Sequence, residues 1–114
     1  MIESIITLEK LLLRTSFESG IAEGLNVSDV ARRYEGYLED FRLAVALFRR
    51  TVEVDDKVAM QCALTRVRVS ALNISGLYQD LIDDMLLVNG QKSWPSIPEG
   101  YVLPARYSDF LSGV

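Results

Sequence analysis

Apolar side chains recur every three or four residues over most of the chain, which is the period of an α-helix. The first predicted helix begins near Ile2 and places Ile5, Leu8 and Leu12 on one face. The three prolines are Pro95, Pro98 and Pro104. Because proline removes a backbone donor and breaks helices, the pattern predicts helices up to about residue 90 and an extended tail beyond.

A second helix is predicted from about Asp29 to Arg50. Asn26 or Ser28 is placed to cap its first turn, since short polar side chains accept hydrogen bonds from free backbone N–H groups. Apolar and aromatic residues follow at alternating spacings of four and three, which is a heptad seam. This seam consists of Val30, Tyr34, Tyr37, Phe41, Ala44 and Phe48.

A third helix, predicted from Asp55 to Asn89, would be about 50 Å long. Gly76 is its weakest point, and Gly90 supplies the left-handed residue that commonly ends a helix. Its heptad seam consists of Met60, Leu64, Val67, Ala71, Ile74, Tyr78, Leu81, Met85 and Val88. An offset second stripe consists of Val58, Cys62, Val69 and Leu72. A helix that is apolar on two faces must bury both, so we expect the other helices to cover one face and a second copy or a partner the other.

These patterns predict an all-α protein. Residues 1–90 form a bundle of about three helices, the long one lying in the C-terminal half. Residues 91–114 form an extended, proline-containing tail that packs on the bundle or on a partner.

Composition narrows the function. With 114 residues, 49% of them hydrophobic, the chain fits one globular domain. The absence of histidine removes Ser-His-Asp catalysis and the usual zinc sites. The single cysteine, Cys62, excludes an intrachain disulfide, and its place on an apolar stripe predicts a small buried side chain. We therefore expect no enzymatic activity, no metal and no cofactor.

Charge and hydropathy bear on partners and location. The net charge of −4 argues against direct nucleic-acid binding, which draws its affinity from a concentrated basic surface. No run of about 18 apolar residues is present, so we expect no membrane span. No secretory signal pattern opens the chain, and we expect a cytoplasmic protein.

Two sequence patterns could indicate a functional site, but each also has a purely structural explanation. Residues 25–34 resemble the first helix of a helix-turn-helix motif, but Gly36 falls one residue late for the turn, which favours a continuous helix. Carboxylates spaced on one helix face can hold Mg²⁺, although exposed acids are common on helices. The candidate carboxylates are Glu35 and Glu39 on the second helix, and Asp80 and Asp83 on the third.

Aromatic and large apolar residues are the candidates for binding another protein, because tyrosine and tryptophan carry many interface hot spots. The predicted dimer or partner interface consists of Tyr34, Tyr37, Phe41, Phe48, Leu64, Val67, Ile74, Tyr78, Leu81, Trp94, Tyr101 and Phe110.

In size, acidity, lack of histidine and helical order, the chain resembles the QslA-like bacterial quorum-sensing anti-activators. The long-helix segment 66–82, reading RVRVSALNISGLYQDLI, contributes to this resemblance. The rhizobial TraM proteins are looser functional analogues. The resemblance rests on no short diagnostic motif and transfers no individual residue.

The resemblance implies an all-α homodimer that binds a LuxR-type transcription factor, occludes its dimerisation surface and prevents DNA binding. Other helical adaptors, such as a secretion chaperone or a phage-encoded inhibitor, are the alternative, and a helix-turn-helix DNA binder is a weaker one.

Overall fold

The computed structural model describes residues 2–17, 20–25 and 29–107. These residues form three α-helices and two short 3-10 turns, and no strand occurs among them. The helices are α1 (Ile2–Ser16), α2 (Val30–Glu53) and α3 (Lys57–Asn89). The predicted all-α fold, with its long helix in the C-terminal half, is confirmed. Over the described ranges, none of the helices is long and apolar enough to cross a membrane.

Helices α2 and α3 form an antiparallel hairpin around a tight turn. Asp55 takes a left-handed conformation with φ of 55°, and the Asp56 carboxylate caps α3 by accepting from the Ala59 backbone N–H at 3.1 Å. Helix α3 then runs unbroken through Gly76 for 33 residues, or about 50 Å. It does not end as predicted, because Gly90 has a φ of −92° rather than a left-handed one.

The two hairpin helices meet along a heptad seam, which α2 follows as predicted. On α3 the seam combines predicted with unpredicted residues. Met60, Val67, Ile74, Leu81 and Val88 are buried or half-buried in it, as predicted. Leu64, Ala71, Tyr78 and Met85 are exposed, and the residue before each of them is buried instead: Ala63, Ser70, Leu77 and Asp84. In three of the four pairs the predicted residue is the more apolar one, and in the fourth Tyr78 is larger than Leu77. Close helix packing instead buries the residue whose direction and size fit.

Helix α1 packs across one end of this hairpin. Its Ile5 joins Val30 and Tyr34 of α2 and Leu77 and Leu81 of α3 in the principal core cluster. Leu12 and Val88 form a second, smaller cluster. The hydrophobic core of the chain is therefore concentrated where all three helices meet.

Helix α1 also caps α2. The α2 N-cap residue, Asp29, has a left-handed φ of 60° and no side-chain capping bond. The predicted caps, Asn26 and Ser28, lie outside the described residues. A carboxylate oxygen of Glu9 accepts from the Ala31 backbone N–H at 2.9 Å, so α1 satisfies a donor at the start of α2.

The Gln91 side chain holds the beginning of the segment after α3 against α1 and the end of α3. The buried Gln91 side chain donates to the Thr15 carbonyl at 3.2 Å and to the Val88 carbonyl at 2.9 Å. Beyond it, the apolar side chains of the described tail are exposed: Trp94, Ile97, Tyr101, Val102, Leu103 and Tyr107.

The result is an elongated molecule, with extents of 59 × 34 × 25 Å and a radius of gyration of 19.7 Å. A compact domain of this length has a radius of gyration of about 13 Å. The accessible surface is 8837 Å², against about 6,300 Å² for a typical folded monomer of this mass. The chain leaves far more surface uncovered than its size requires.

Candidate interaction surfaces

A long series of exposed apolar side chains lies on the half of the hairpin that α1 does not reach. The core clusters of α1 extend no further than Tyr37 on α2 and Ile74 on α3. We call residues 38–73 the arm. Its exposed large apolar residues are Leu38, Leu43, Val45, Leu47, Val52, Val54, Val58, Leu64, Val69 and Leu72.

Small side chains at the seam explain why so many larger apolar side chains of the arm are exposed on its outer surface. Its buried residues are Ala44, Thr51, Ala63 and Ser70. Side chains of this size let the two helices approach closely but bury little apolar area. The larger leucines and valines therefore remain on the two flanks of the hairpin.

One flank continues the face on which α1 packs. Ala31 lies against the α1 core, and Leu38, Val45 and Val52 follow it at intervals of seven residues. Residues seven apart lie on nearly the same side of a helix. We call this surface the α1-side face and define it by Phe41, Val45, Phe48, Val52, Leu64 and Val67. Val45, Val52 and Leu64 are 42%, 48% and 49% exposed.

The opposite flank is a groove between α2 and α3. We define the groove by Asp40, Leu43 and Leu47 of α2 and by Arg66, Val69 and Asn73 of α3. Of the second stripe predicted on α3, Val69 lines this groove; Val58 and Leu72 are exposed. Cys62, on the same stripe, is exposed, and the prediction that it is buried is wrong for the folded single chain.

The predicted interface residues are distributed over three environments. Tyr34 and Leu81 are core residues, 6% and 3% exposed, because they pack beneath α1; they do not form a free surface of this chain. Tyr37, Phe41, Phe48, Val67 and Ile74 are half-buried along the seam. Leu64, Tyr78, Trp94 and Tyr101 are exposed. Phe110 lies outside the described residues.

Sequence reasoning missed Val45 and Val52 on the α1-side face and Leu43 and Leu47 in the groove. Each lies beside the heptad seam of α2, which drew attention to the aromatic residues instead. The signal was nevertheless present, since the seven-residue interval from Ala31 includes Val45 and Val52.

We call the end of the hairpin on which α1 packs the covered end. A tyrosine pair lies at the boundary between the covered end and the arm. The Tyr34 and Tyr78 hydroxyls are 2.9 Å apart, and their rings meet edge to face at 5.8 Å. The hydrogen bond to Tyr34, together with partial burial, raises the pKa of Tyr78 above its ordinary value. Nearby, Arg33 pairs with Asp80 at 3.5 Å. These two contacts fix which residues of α2 and α3 lie at the same height.

Three of the four carboxylates considered for Mg²⁺, namely Glu39, Asp80 and Asp83, have other partners. Glu39 accepts two hydrogen bonds from Arg42, at 2.6 and 2.9 Å, and these bonds hold the Glu39 pKa below its ordinary value. Asp80 pairs with Arg33, and Asp83 accepts from Gln79 at 3.0 Å. No cluster of three or more potential metal ligands occurs among the described residues.

The helix-turn-helix alternative requires a break near Gly36. Helix α2 is continuous from Val30 to Glu53, so the motif is not formed, and the continuous helix is confirmed.

No protein-family model, curated protein or solved structure matches this chain.

Proposed function

We propose that this protein is a non-enzymatic, homodimeric regulator that binds and sequesters a LuxR-type quorum-sensing transcription factor. It binds the regulator through the α1-side face of the arm and occludes the surface by which the regulator dimerises. The regulator is then unable to bind DNA.

One observation carries the binding part of this proposal. Ala31 packs against the α1 core, whereas Leu38, Val45 and Val52, which follow it at seven-residue intervals along α2, are 41%, 42% and 48% exposed. Helix α1 has 15 residues against 33 in α3, or about 22 Å against about 50 Å. The uncovered stretch therefore suits an amphipathic helix of a partner. Such a helix would pack beside the arm as α1 packs beside the other end of the hairpin.

The composition of the α1-side face supports the same function. Phe41 and Phe48 are half-buried in its centre, with Val45, Val52 and Leu64 more exposed around them. Aromatic anchors with aliphatic neighbours are typical of surfaces on which binding energy is concentrated. The identity of the partner rests on the resemblance to quorum-sensing anti-activators.

The test measures DNA binding by a purified LuxR-type regulator at increasing concentrations of this protein. The wild-type protein is expected to release the regulator from operator DNA. The double variant Val45→Glu/Leu64→Glu is expected to lose this effect, because it places two charges on the contact surface. Both residues are exposed, so circular dichroism should show unchanged helicity.

Leu86→Glu is the matched control, since Leu86 is 65% exposed and lies on the part of α3 beyond the arm. It should behave as the wild type. If the wild-type protein leaves DNA binding by LuxR-type regulators unchanged, the proposed target is wrong. If the wild type acts and the double variant acts equally well, the α1-side face is not the binding surface.

A further inference from the structure

We propose that residues 92–98, which we call the proline motif, bind a protein domain of the SH3 type, whose groove takes a polyproline II helix. The motif lies in the tail and not on the arm. This partner is therefore additional to the regulator of the proposed function, and the inference does not depend on that function.

The spacing of two prolines favours a polyproline II helix. Pro95 and Pro98 are three residues apart, and this helix has three residues per turn, so both prolines lie along one edge of it. Proline fixes its own φ near about −65° and restricts the residue before it to extended conformations. These two rules cover Trp94, Pro95, Ile97 and Pro98, and Ser96 alone is left unrestricted.

The structure keeps this segment outside other secondary structure. Residues 95–98 belong to no helix or strand. A turn closes on each side of them, because the Trp94 N–H donates to the Gln91 carbonyl and the Tyr101 N–H to the Pro98 carbonyl, both at 3.1 Å. A polyproline II helix has no internal hydrogen bonds, so binding in this form breaks neither turn.

The order of the side chains matches a groove of the SH3 type. Each proline follows a large apolar residue, which gives the pairs Trp94–Pro95 and Ile97–Pro98 with one residue between them. Such a groove is lined by aromatic rings and holds the apolar residues and prolines of a polyproline II helix side by side. All four residues are exposed, so a partner reaches them without unfolding any helix.

Charges at the two ends give the motif a direction. Lys92 lies three residues before the first proline, and Glu99 follows the second. Both are exposed. A groove with carboxylates beyond one of its aromatic pockets attracts Lys92 to that end and places Glu99 at the other. Opposite charges thus fix the orientation of the bound segment, and we expect the partner to be acidic beside its groove.

The arm of the same chain is out of reach of the motif. The turn from Gln91 to Trp94 spans less than about 7 Å, and the three residues on to Ile97 add about 10 Å. Ile97 therefore lies within about 17 Å of Gln91, which is held at the end of α3 by its side-chain bonds. Helix α3 covers about 24 Å from Asn89 back to Asn73 of the arm. The apolar side chains of the motif are thus available to a separate domain, and the arm does not cover them.

The experiment is isothermal titration calorimetry of the full chain against a panel of purified SH3 domains whose ligands place a basic residue before two apolar–proline pairs. The wild type is expected to bind. Pro95→Ala and Pro98→Ala are each expected to raise the dissociation constant by about tenfold or more, because each removes a residue from the centre of the contact. Lys92→Glu should also weaken binding and should reduce its dependence on salt.

Pro104→Ala is the matched control, since it removes a proline of the same tail outside the motif. It should bind as the wild type does. All of these substitutions lie outside the three α-helices, so circular dichroism should show unchanged helicity. A wild type that binds none of the domains overturns the proposal, as does binding that Pro95→Ala and Pro98→Ala leave unchanged. An equal loss in Pro104→Ala overturns the assignment to the proline motif, and binding insensitive to Lys92→Glu overturns its direction.

Two cross-tests separate this inference from the proposed function. Val45→Glu/Leu64→Glu, on the α1-side face, should bind the SH3 domains as the wild type does. Pro95→Ala should still release a LuxR-type regulator from DNA. Failure of SH3 binding alone leaves the proposed function standing, and failure of DNA release alone leaves the proline motif standing. Loss of regulator release in Pro95→Ala overturns the separation of the two sites.

Discussion

The two ends of the α2–α3 hairpin have the same heptad seam and different surroundings. At the covered end, α1 packs over Val30, Tyr34, Leu77 and Leu81. At the arm the seam continues through Ala44, Thr51, Ala63 and Ser70, and the larger apolar residues beside it are left exposed. The covered end thus has a core of its own, whereas the arm has mainly the contact between two helices.

This difference indicates how stability and binding are divided within a small chain. Burial of apolar area is the main favourable contribution to folding, and here it is concentrated at the covered end. The arm exposes apolar side chains that a more compact fold would bury. An apolar surface that is uncovered in the single chain is available to another polypeptide.

The largest effect is expected from Leu77→Ala at the covered end. Leu77 is 1% exposed, and removing such a side chain leaves a cavity costing about 2–5 kcal/mol. Leu72→Ala on the arm is the matched control, because Leu72 is 59% exposed and its truncation should cost no more than about 0.5 kcal/mol. Urea denaturation of both variants measures the contrast. Similar losses for the two would mean that the arm is as tightly packed as the covered end.

A smaller effect is expected from Glu9→Ala, which removes the acceptor for the Ala31 backbone N–H. Loss of a helix cap costs about 1 kcal/mol, and α1 should dissociate more readily from the hairpin. Amide hydrogen exchange should show faster exchange in α1 and in the first turn of α2, with the rest of α2 unchanged. Glu9→Gln retains a side-chain oxygen that can accept the bond and should preserve most of the protection. Unchanged exchange in Glu9→Ala would show that packing alone holds α1 in place.

The smallest effect is expected from Tyr78→Phe, which removes one partner of the Tyr34 hydrogen bond at 2.9 Å. A net loss of about 0.5 kcal/mol is expected, at the low end for such a bond, because Tyr78 is 37% exposed. Because the folded-state pKa of Tyr78 is raised, its contribution is fully present below the ordinary tyrosine pKa of about 10. Above that pH the unfolded chain loses this proton first, so stability falls as the pH rises through the folded-state pKa.

Denaturation measured from pH 8 to pH 11 tests this difference. The wild type should lose stability above about pH 10 more steeply than Tyr78→Phe does. Parallel curves for the two proteins would show that the hydroxyl pair does not hold the Tyr78 proton in the folded state.

The amino-acid sequence by itself determined the helical class, the order of the three helices and the seam of α2. These features follow from local causes, namely the period of apolar residues and the position of the prolines. It also indicated a second apolar stripe on α3, of which Val69 lines the groove. The groove residues of α2, Leu43 and Leu47, were not evident, because membership of a groove depends on the neighbouring helix.

The tertiary structure decided which residues of α3 face the hairpin and where α1 stops. Ala63 and Ser70 are buried while Leu64 is exposed, because close approach of two helices selects side-chain size and direction over hydropathy. The Glu9–Ala31 contact joins residues 22 positions apart, and no local pattern specifies it. Helical periodicity shows that a residue lies on an apolar face, but only the packing of the helices against one another determines whether that face is covered.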